Sequence, residues 1–228
     1  MESARVGVRL AAVVMAAGLV MGVTGCAGSQ YTYVRDDDGQ AYFKIPTAWQ
    51  KVDQKALDVK IFGDPAGQEA QQAKQSVWAV AYDASASPSA DHLLGGATGS
   101  SEQPFALAMV RPLSEEEHNK ASLDYLRNAL IPVVDISSDT TGTSGFTQFQ
   151  MIKDEELPQH DGISGIHVVF NASFNGGALQ TFDKTTYLSG GGSKLSALLI
   201  QCSATCYRAQ ADQIANIAHS FKIKPTSP

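Results

Sequence analysis

Residues 163–202 read ISGIHVVFNASFNGGALQTFDKTTYLSGGGSKLSALLIQC, and this stretch decides the fold. Strands are expected over 163–174, 179–188 and 195–202, because each is rich in β-branched and aromatic residues and bounded by turn residues. Asn175, Gly176 and Gly177 separate the first two, and Gly190, Gly191 and Gly192 the last two, spacings that suit hairpins. In the first strand Ile166, Val168, Phe170, Ala172 and Phe174 share one face, while His167, Asn171 and Ser173 take the other. A further strand over 146–153 completes an antiparallel meander.

Beyond the meander, Tyr207, Ala211, Ile214, Ile217 and Phe221 recur at helical spacing, so a closing helix docks onto the sheet. Before it, Ser114 and Glu117 form a capping box and Glu115, Glu116 and Glu117 suit the positive end of a helix dipole. Leu123, Leu126 and Leu130 continue that helix as an apolar stripe, and Pro132 is expected to stop it. Strands over 105–111 and 75–83 flank a Ser-, Gly- and Ala-rich loop at 84–103, read as the mobile segment. Residues 51–74 have no clean period, apart from a short helix expected over 66–74. At the start, residues 31–35 and 41–45 suit extended chain around the turn Asp36, Asp37, Asp38, Gly39. That acidic turn lacks the ligand order and closing Glu of a calcium loop and reads as a solvated turn.

The amino terminus carries an address. Arg5 and Arg9 precede an uncharged run from Leu10 to Val20, of signal-peptide length and too short to span a membrane comfortably. The run ends Val23, Thr24, Gly25, Cys26, which resembles the lipobox of bacterial lipoproteins; the resemblance implies cleavage before Cys26 and diacylation of its thiol. The expected organisation is a signal peptide over 1–25, a lipidated tether over 26–40 and one globular domain over 41–224. Two acyl chains form a lasting anchor where one binds only reversibly. Cys26 is therefore expected to account for essentially all attachment, on the extracytoplasmic face of the cell membrane.

The 228 residues carry a formal charge of −6, which becomes −7 once Glu2, Arg5 and Arg9 leave. No basic cluster is evident along the chain, so neither nucleic acid nor an anionic lipid surface is an expected partner of the domain itself. Cys202 and Cys206 are the thiols left after lipidation. In an oxidising compartment they read as a structural disulfide; the alternative, a redox dithiol, usually appears as C-x-x-C at a helix start. No hydrolase elbow, zinc-protease pair, phosphate loop or dinucleotide turn is present, and no metal or cofactor is implied. Gly190–Gly192 with Ser193 and Lys194 joins two strands and so reads as a hairpin turn. Two residues stand out as candidate ligand contacts. His167 lies mid-strand on the less apolar face, where it reads first as a histidine satisfied by a hydrogen bond and second as a contact for a polar ligand. Trp49 reads first as core and second as a pocket wall.

Phe43, Lys44, Ile45, Pro46, Thr47, Ala48, Trp49 at the start, the antiparallel run, and a closing helix ending Ser220, Phe221, Lys222, Ile223 resemble the PsbP-like fold shared with the Ran-binding Mog protein. The match spans residues 41–224. It implies an α+β fold, an antiparallel sheet with helices packed on both faces in an α/β/α sandwich. A cysteine pair between last strand and last helix is also similar to what some actinobacterial lipoproteins of this architecture carry. Because members generally act as binding or assembly modules, the resemblance implies a noncatalytic envelope lipoprotein with a protein partner. Neither a photosystem role nor Ran binding carries over. The alternatives are a carrier of a small apolar or lipid ligand between sheet and helix, and, third, an envelope hydrolase.

Overall fold

The computed structural model describes residues 29–95, 102–139, 141 and 143–225; the signal peptide, Cys26 and residues 96–101 of the Ser/Gly-rich loop lie outside the described residues. In chain order the elements are β1 (Tyr31–Arg35), β2 (Ala41–Pro46), β3 (Gln50–Lys51), α1 (Gln54–Phe62), α2 (Gln68–Ser76), β4 (Trp78–Asp83), β5 (Phe105–Pro112), α3 (Glu115–Asn119), α4 (Leu123–Asn128), α5 (Val133–Ser138), β6 (Phe146–His160), β7 (Ile163–Phe174), β8 (Gln180–Ser189), β9 (Lys194–Ser203), α6 (Ala204–Ala209), α7 (Ala211–Ser220) and β10 (Lys222–Ile223).

Seven strands form one antiparallel sheet in the order β3-β4-β5-β9-β8-β7-β6, and β1-β2-β10 form a second, smaller one. The central strands β5, β8 and β9 are buried along almost their whole length, which requires cover on both faces. On one face Val80, Ala106, Ala108, Leu198 and Ile200 pack against Ile214 and Ile217 of α7, Phe221, and the inward Phe43 and Ile45 of the small sheet. On the other, Ile166, Val168, Phe170, Phe182 and Leu199 pack against Leu126, Val133 and Ile136 of α4 and α5. Farther along that second face, Ala81, Phe105 and Leu107 meet Leu57 of α1. Helices thus cover both faces, as expected. The second sheet is a feature the sequence did not announce; its strand β1 brings residues before Ala41 into the fold.

The helix expected from Ser114 is two helices, α3 and α4. Its capping box is present, with Glu117 N–H donating to Ser114 Oγ and Ser114 N–H donating to Glu117, but α3 ends at Asn119 and Ser122 caps a new start for α4. Pro132 does not stop a helix; it precedes α5. The irregular segment between α4 and α5, where Leu130 takes a positive φ of 64°, is held from the sheet. Lys184 of β8 is fully buried, and its ammonium donates to the carbonyls of Arg127, Ala129 and Ile131; Thr186 Oγ1 donates to that of Leu126. These donors replace the intrahelical bonds that a continuous helix would make, so the apolar stripe is satisfied without one.

Three further expectations are corrected. The helix expected over 207–221 is two, α6 and α7, and Cys206 lies inside α6 rather than before a helix. Strand β6 runs to His160 instead of 153 because an edge strand tolerates the charges and Pro158 that looked like a loop, with register shifts absorbing them. Finally, a basic cluster does exist. Arg35, Lys44, Lys222 and Lys224 come together on the outer side of the small sheet, invisible along the chain because they arrive on three strands.

Burial pushes the Lys184 ammonium down to about 7 from 10.5, so between those pH values the folded chain has shed a proton that the unfolded chain holds. Stability from this group is therefore lowest below about pH 7 and rises towards pH 10.5. The three carbonyls, however, use all three hydrogens of the protonated form. Lys184→Met should remove all three bonds, although Ala129 O and Ile131 O keep the backbone N–H donors of Ile131 and Val133, and cost about 1–3 kcal/mol at neutral pH. Denaturant titrations across the alkaline range should also show the natural chain gaining stability relative to the variant; parallel curves, or a variant of unchanged midpoint, would contradict this.

Candidate functional site

His167 of β7 sits on the sheet face opposite the Phe170 cluster, as the alternation requires. Its register neighbour across β8 is Thr185, and Asp183, two residues before it, lies on the same face. His167 Nε2 is 2.8 Å from Asp183 Oδ1, and Tyr207 of α6 donates its hydroxyl to Asp183 Oδ2 at 2.8 Å. On the other side of the ring, Lys153 Nζ of β6 is 3.2 Å from His167 Nδ1 and 2.5 Å from Glu155. An ammonium only donates, so Nδ1 accepts from Lys153 and Nε2–H donates to the carboxylate, which fixes a neutral tautomer. Burial, reinforced by the Asp183 charge, pushes the Tyr207 hydroxyl far above the phenol range, so it remains a donor. Lys153 holds Glu155 below the usual carboxylate range.

This chain of Lys153, His167, Asp183 and Tyr207 resembles half of a catalytic triad. Both histidine nitrogens and both carboxylate oxygens are already engaged within the protein. What it achieves is to hold α6 on the sheet. The same end of α6 is fixed covalently, since the sulfurs of Cys202 in β9 and Cys206 in α6 lie at disulfide distance, with Cα atoms 5.9 Å apart. Ser203 Oγ accepts from Cys206 N–H and caps the helix start. Sequence reasoning found the cysteines and His167, but not Asp183 or Tyr207, whose types are unremarkable and whose convergence depends on strand register.

A second histidine–carboxylate pair lies at the opposite end of the sheet. Asp83 is fully buried and accepts from the backbone N–H groups of Ser85 and Ser89 and from His92 Nδ1 at 2.6 Å. Gln201 then clasps the segment, donating to His92 O and accepting from Leu94 N–H. Residues 84–95, expected to be part of a mobile loop, are thereby tied down. Trp49 is 7% exposed within the core beneath the small sheet, and neither it nor His167 lines the described clefts. Among the described residues no group of His, Cys, Asp and Glu is placed to hold a metal ion.

One concave stretch of open surface lies where the edge strand β1 faces β4 and α2; another, of about 440 Å³, lies along 208–213 of α6 and α7. A cleft of about 540 Å³ is lined by Tyr33, Arg35, Lys51, Lys74, Trp78 and Tyr82 among others. A neighbouring one of about 380 Å³ shares Asp37, Lys74, Val77 and Trp78 with it and reaches Arg111 and Lys194. Asp58 at the floor accepts from Gln54 through Oδ1 and forms an ion pair with Lys74 through Oδ2 at 2.5 Å. The sequence presents Trp78 only as a strand residue. Its role as the wall common to both clefts comes from β4 being one strand from the sheet edge.

No protein-family model matches the chain, and no curated protein matches it by sequence. Among solved structures, it is similar to cyanobacterial PsbP (CyanoP) from Synechocystis sp. PCC 6803, with a TM-score of 0.51 at 13% identity, covering 90% of this chain and 99% of that one. LpqN, involved in cell envelope biogenesis of Mycobacterium tuberculosis, aligns with a TM-score of 0.46 at 16% identity over 86% of this chain and 91% of its own. The protein Mog1 aligns at 0.43 and 10% identity over 87% and 98%. The first of these likenesses establishes a PsbP-like fold. Among the described residues no helix is long and apolar enough to cross a membrane.

If the disulfide and Tyr207 act together to seat α6, their effects on stability should be coupled. Reduction should cost roughly 2 kcal/mol, the low end for so small a ring. Tyr207→Phe should cost about 1–3 kcal/mol by leaving Asp183 short of a donor. Together they should cost measurably less than the sum, because the reduced chain already loosens the same helix. Denaturation of the four states reads this directly. Strict additivity, or peptide maps of exported protein showing both thiols free, would contradict it.

Proposed function

We propose that this chain is an exported lipoprotein, anchored through Cys26 and acting noncatalytically as a binding or assembly module of the cell envelope, similar to actinobacterial lipoproteins of this architecture. The observation that carries the reading is the double cleft walled by Trp78 and Tyr82. It is open, rimmed by charges of both signs, and bordered by β1, the edge strand of the small sheet. Such a surface suits an extended segment of a protein partner, whose backbone pairs with a strand edge while side chains rest on the half-buried Trp78 and Tyr82. His167, Asp183 and Tyr207 are spent on seating α6, and Asp83 and His92 on the loop that follows β4. Between the large sheet and its helices, Phe43, Phe221, Phe170 and Phe182 fill the space that an apolar ligand would occupy.

A photoreactive residue at Lys51, exposed at the rim of the cleft, should crosslink in intact cells to a discrete protein identifiable by mass spectrometry. Trp78→Ala should remove most of that adduct while the chain stays folded. The same photoreactive group at Asp161, in the turn between β6 and β7, should give none of it. Identical adducts from both positions, or none from Lys51, would overturn the assignment of the cleft.

A further inference from the structure

The outer face of the small sheet is built from residues far apart in sequence. Register places Tyr33 opposite Lys44, Arg35 opposite Tyr42, and Tyr42 opposite Lys222, so all five share a face, with Tyr31 opposite Pro46 at its end. Lys44 Nζ stands 4.5 Å from the centroid of the Tyr31 ring, and Lys224 Nζ 5.5 Å from that of Tyr42, which adds Lys224 to the same side. Tyr33 is 74% exposed, the largest value among the exposed large hydrophobic residues. Among the described residues, no carboxylate forms an ion pair with Arg35, Lys44, Lys222 or Lys224. The nearby acidic turn offsets little: Asp36 is buried and caps Ala41 N–H, and Asp38 is held by Lys194, which leaves Asp37. In a chain of charge −6, three tyrosines and four cations therefore make one face.

We propose that this face rests on the anionic phospholipid surface of the bilayer, an inference that builds on the lipid-anchor reading of Cys26. Two arguments select that occupant. The first is chemical. Tyrosine is at home at the level of lipid headgroups, and lysine and arginine reach anionic phosphates while their stems lie over rings. The second is the tether. Only residues 27–30 separate Cys26 from β1, a reach of about 14 Å at most. Thr47 shortens it, donating from its hydroxyl to Ser29 O and from its backbone N–H to Gln30 O. The anchor thus leaves the fold at the Tyr31 and Lys44 end of this face. The remaining negative charge acts over a screening length of about 8 Å at physiological ionic strength, so acidic groups on other surfaces oppose contact weakly. Each cation near an anionic surface strengthens binding about fivefold. Four give an affinity well below that of two acyl chains, so the anchor provides attachment and the face provides orientation. The cleft at the edge of β1 then opens beside the bilayer.

The test is flotation of the full-length Cys26→Ser chain with vesicles of phosphatidylcholine alone or phosphatidylcholine with phosphatidylglycerol, at low and at physiological salt. Binding should favour the anionic vesicles and weaken with salt. Lys222→Gln with Lys224→Gln should lower it about thirtyfold at low salt. Arg35→Gln should lower it by a smaller factor, and both variants should keep the parent's denaturation midpoint. Any retained signal segment contributes equally to parent and variants, and so cancels. Equal binding to the two vesicle types, or anionic binding that both variants leave unchanged, would overturn the proposal, as would a face that binds a soluble acidic protein but no vesicle. The anchor reading fails by a different observation, an unacylated Cys26 in the natural chain, so the two are separable.

Discussion

Asp183 and Lys184 are neighbours in β8, and because successive side chains of a strand face opposite ways, they tie both covering layers to one sheet. Asp183 reaches one face and receives Tyr207 of α6 and His167; Lys184 reaches the other and caps the broken segment between α4 and α5. A sheet whose central strands are buried on both sides cannot be stable without these layers. Covering a Phe or Leu contributes roughly 1.5–3 kcal/mol each, which is what makes two buried ionisable side chains tolerable in its middle. Phe182, the preceding residue, stacks on Phe170 at 5.0 Å between centroids and closes the apolar part of the second face.

The period-two pattern made the meander legible, and β7 appears over the residues expected. Long, strongly patterned strands carry their own signal. The misplaced elements share a different cause: their boundaries are set by partners distant in sequence. Leucines at helical spacing between Leu123 and Leu130 suggested one helix, but Lys184, more than fifty residues later, supplies donors that make a break acceptable. The end of β6 was hidden by charges that an edge strand bears without penalty. For the site, Cys202, Cys206 and His167 stand out by residue type alone. Asp183, Tyr207 and Trp78 do not, because their importance lies in register and in distance from a sheet edge. The basic face was misread for the same reason: charge counted along the chain is blind to strands that assemble it.

These observations separate what holds the fold from what the surface offers. The His167–Asp183 pair is inward, with all four of its polar side-chain atoms engaged, and the Asp83–His92 pair ties down the loop that leaves β4. The outward features are gathered about the small sheet: an aromatic and cationic face, and at its edge a cleft walled by Trp78. Ser29 and Gln30, held by Thr47, lead into β1 at the same place. A module held at a bilayer by its amino terminus, lying on the outer face of that sheet, would present the cleft laterally to other envelope proteins.

All of this depends on where Cys26 is. The most direct measurement is the mass of the amino-terminal peptide of the natural protein isolated from cells that export it. The account predicts a chain that begins at Cys26 and carries acyl chains on that residue. A chain beginning at another residue, or a Cys26 with a free thiol, would contradict it.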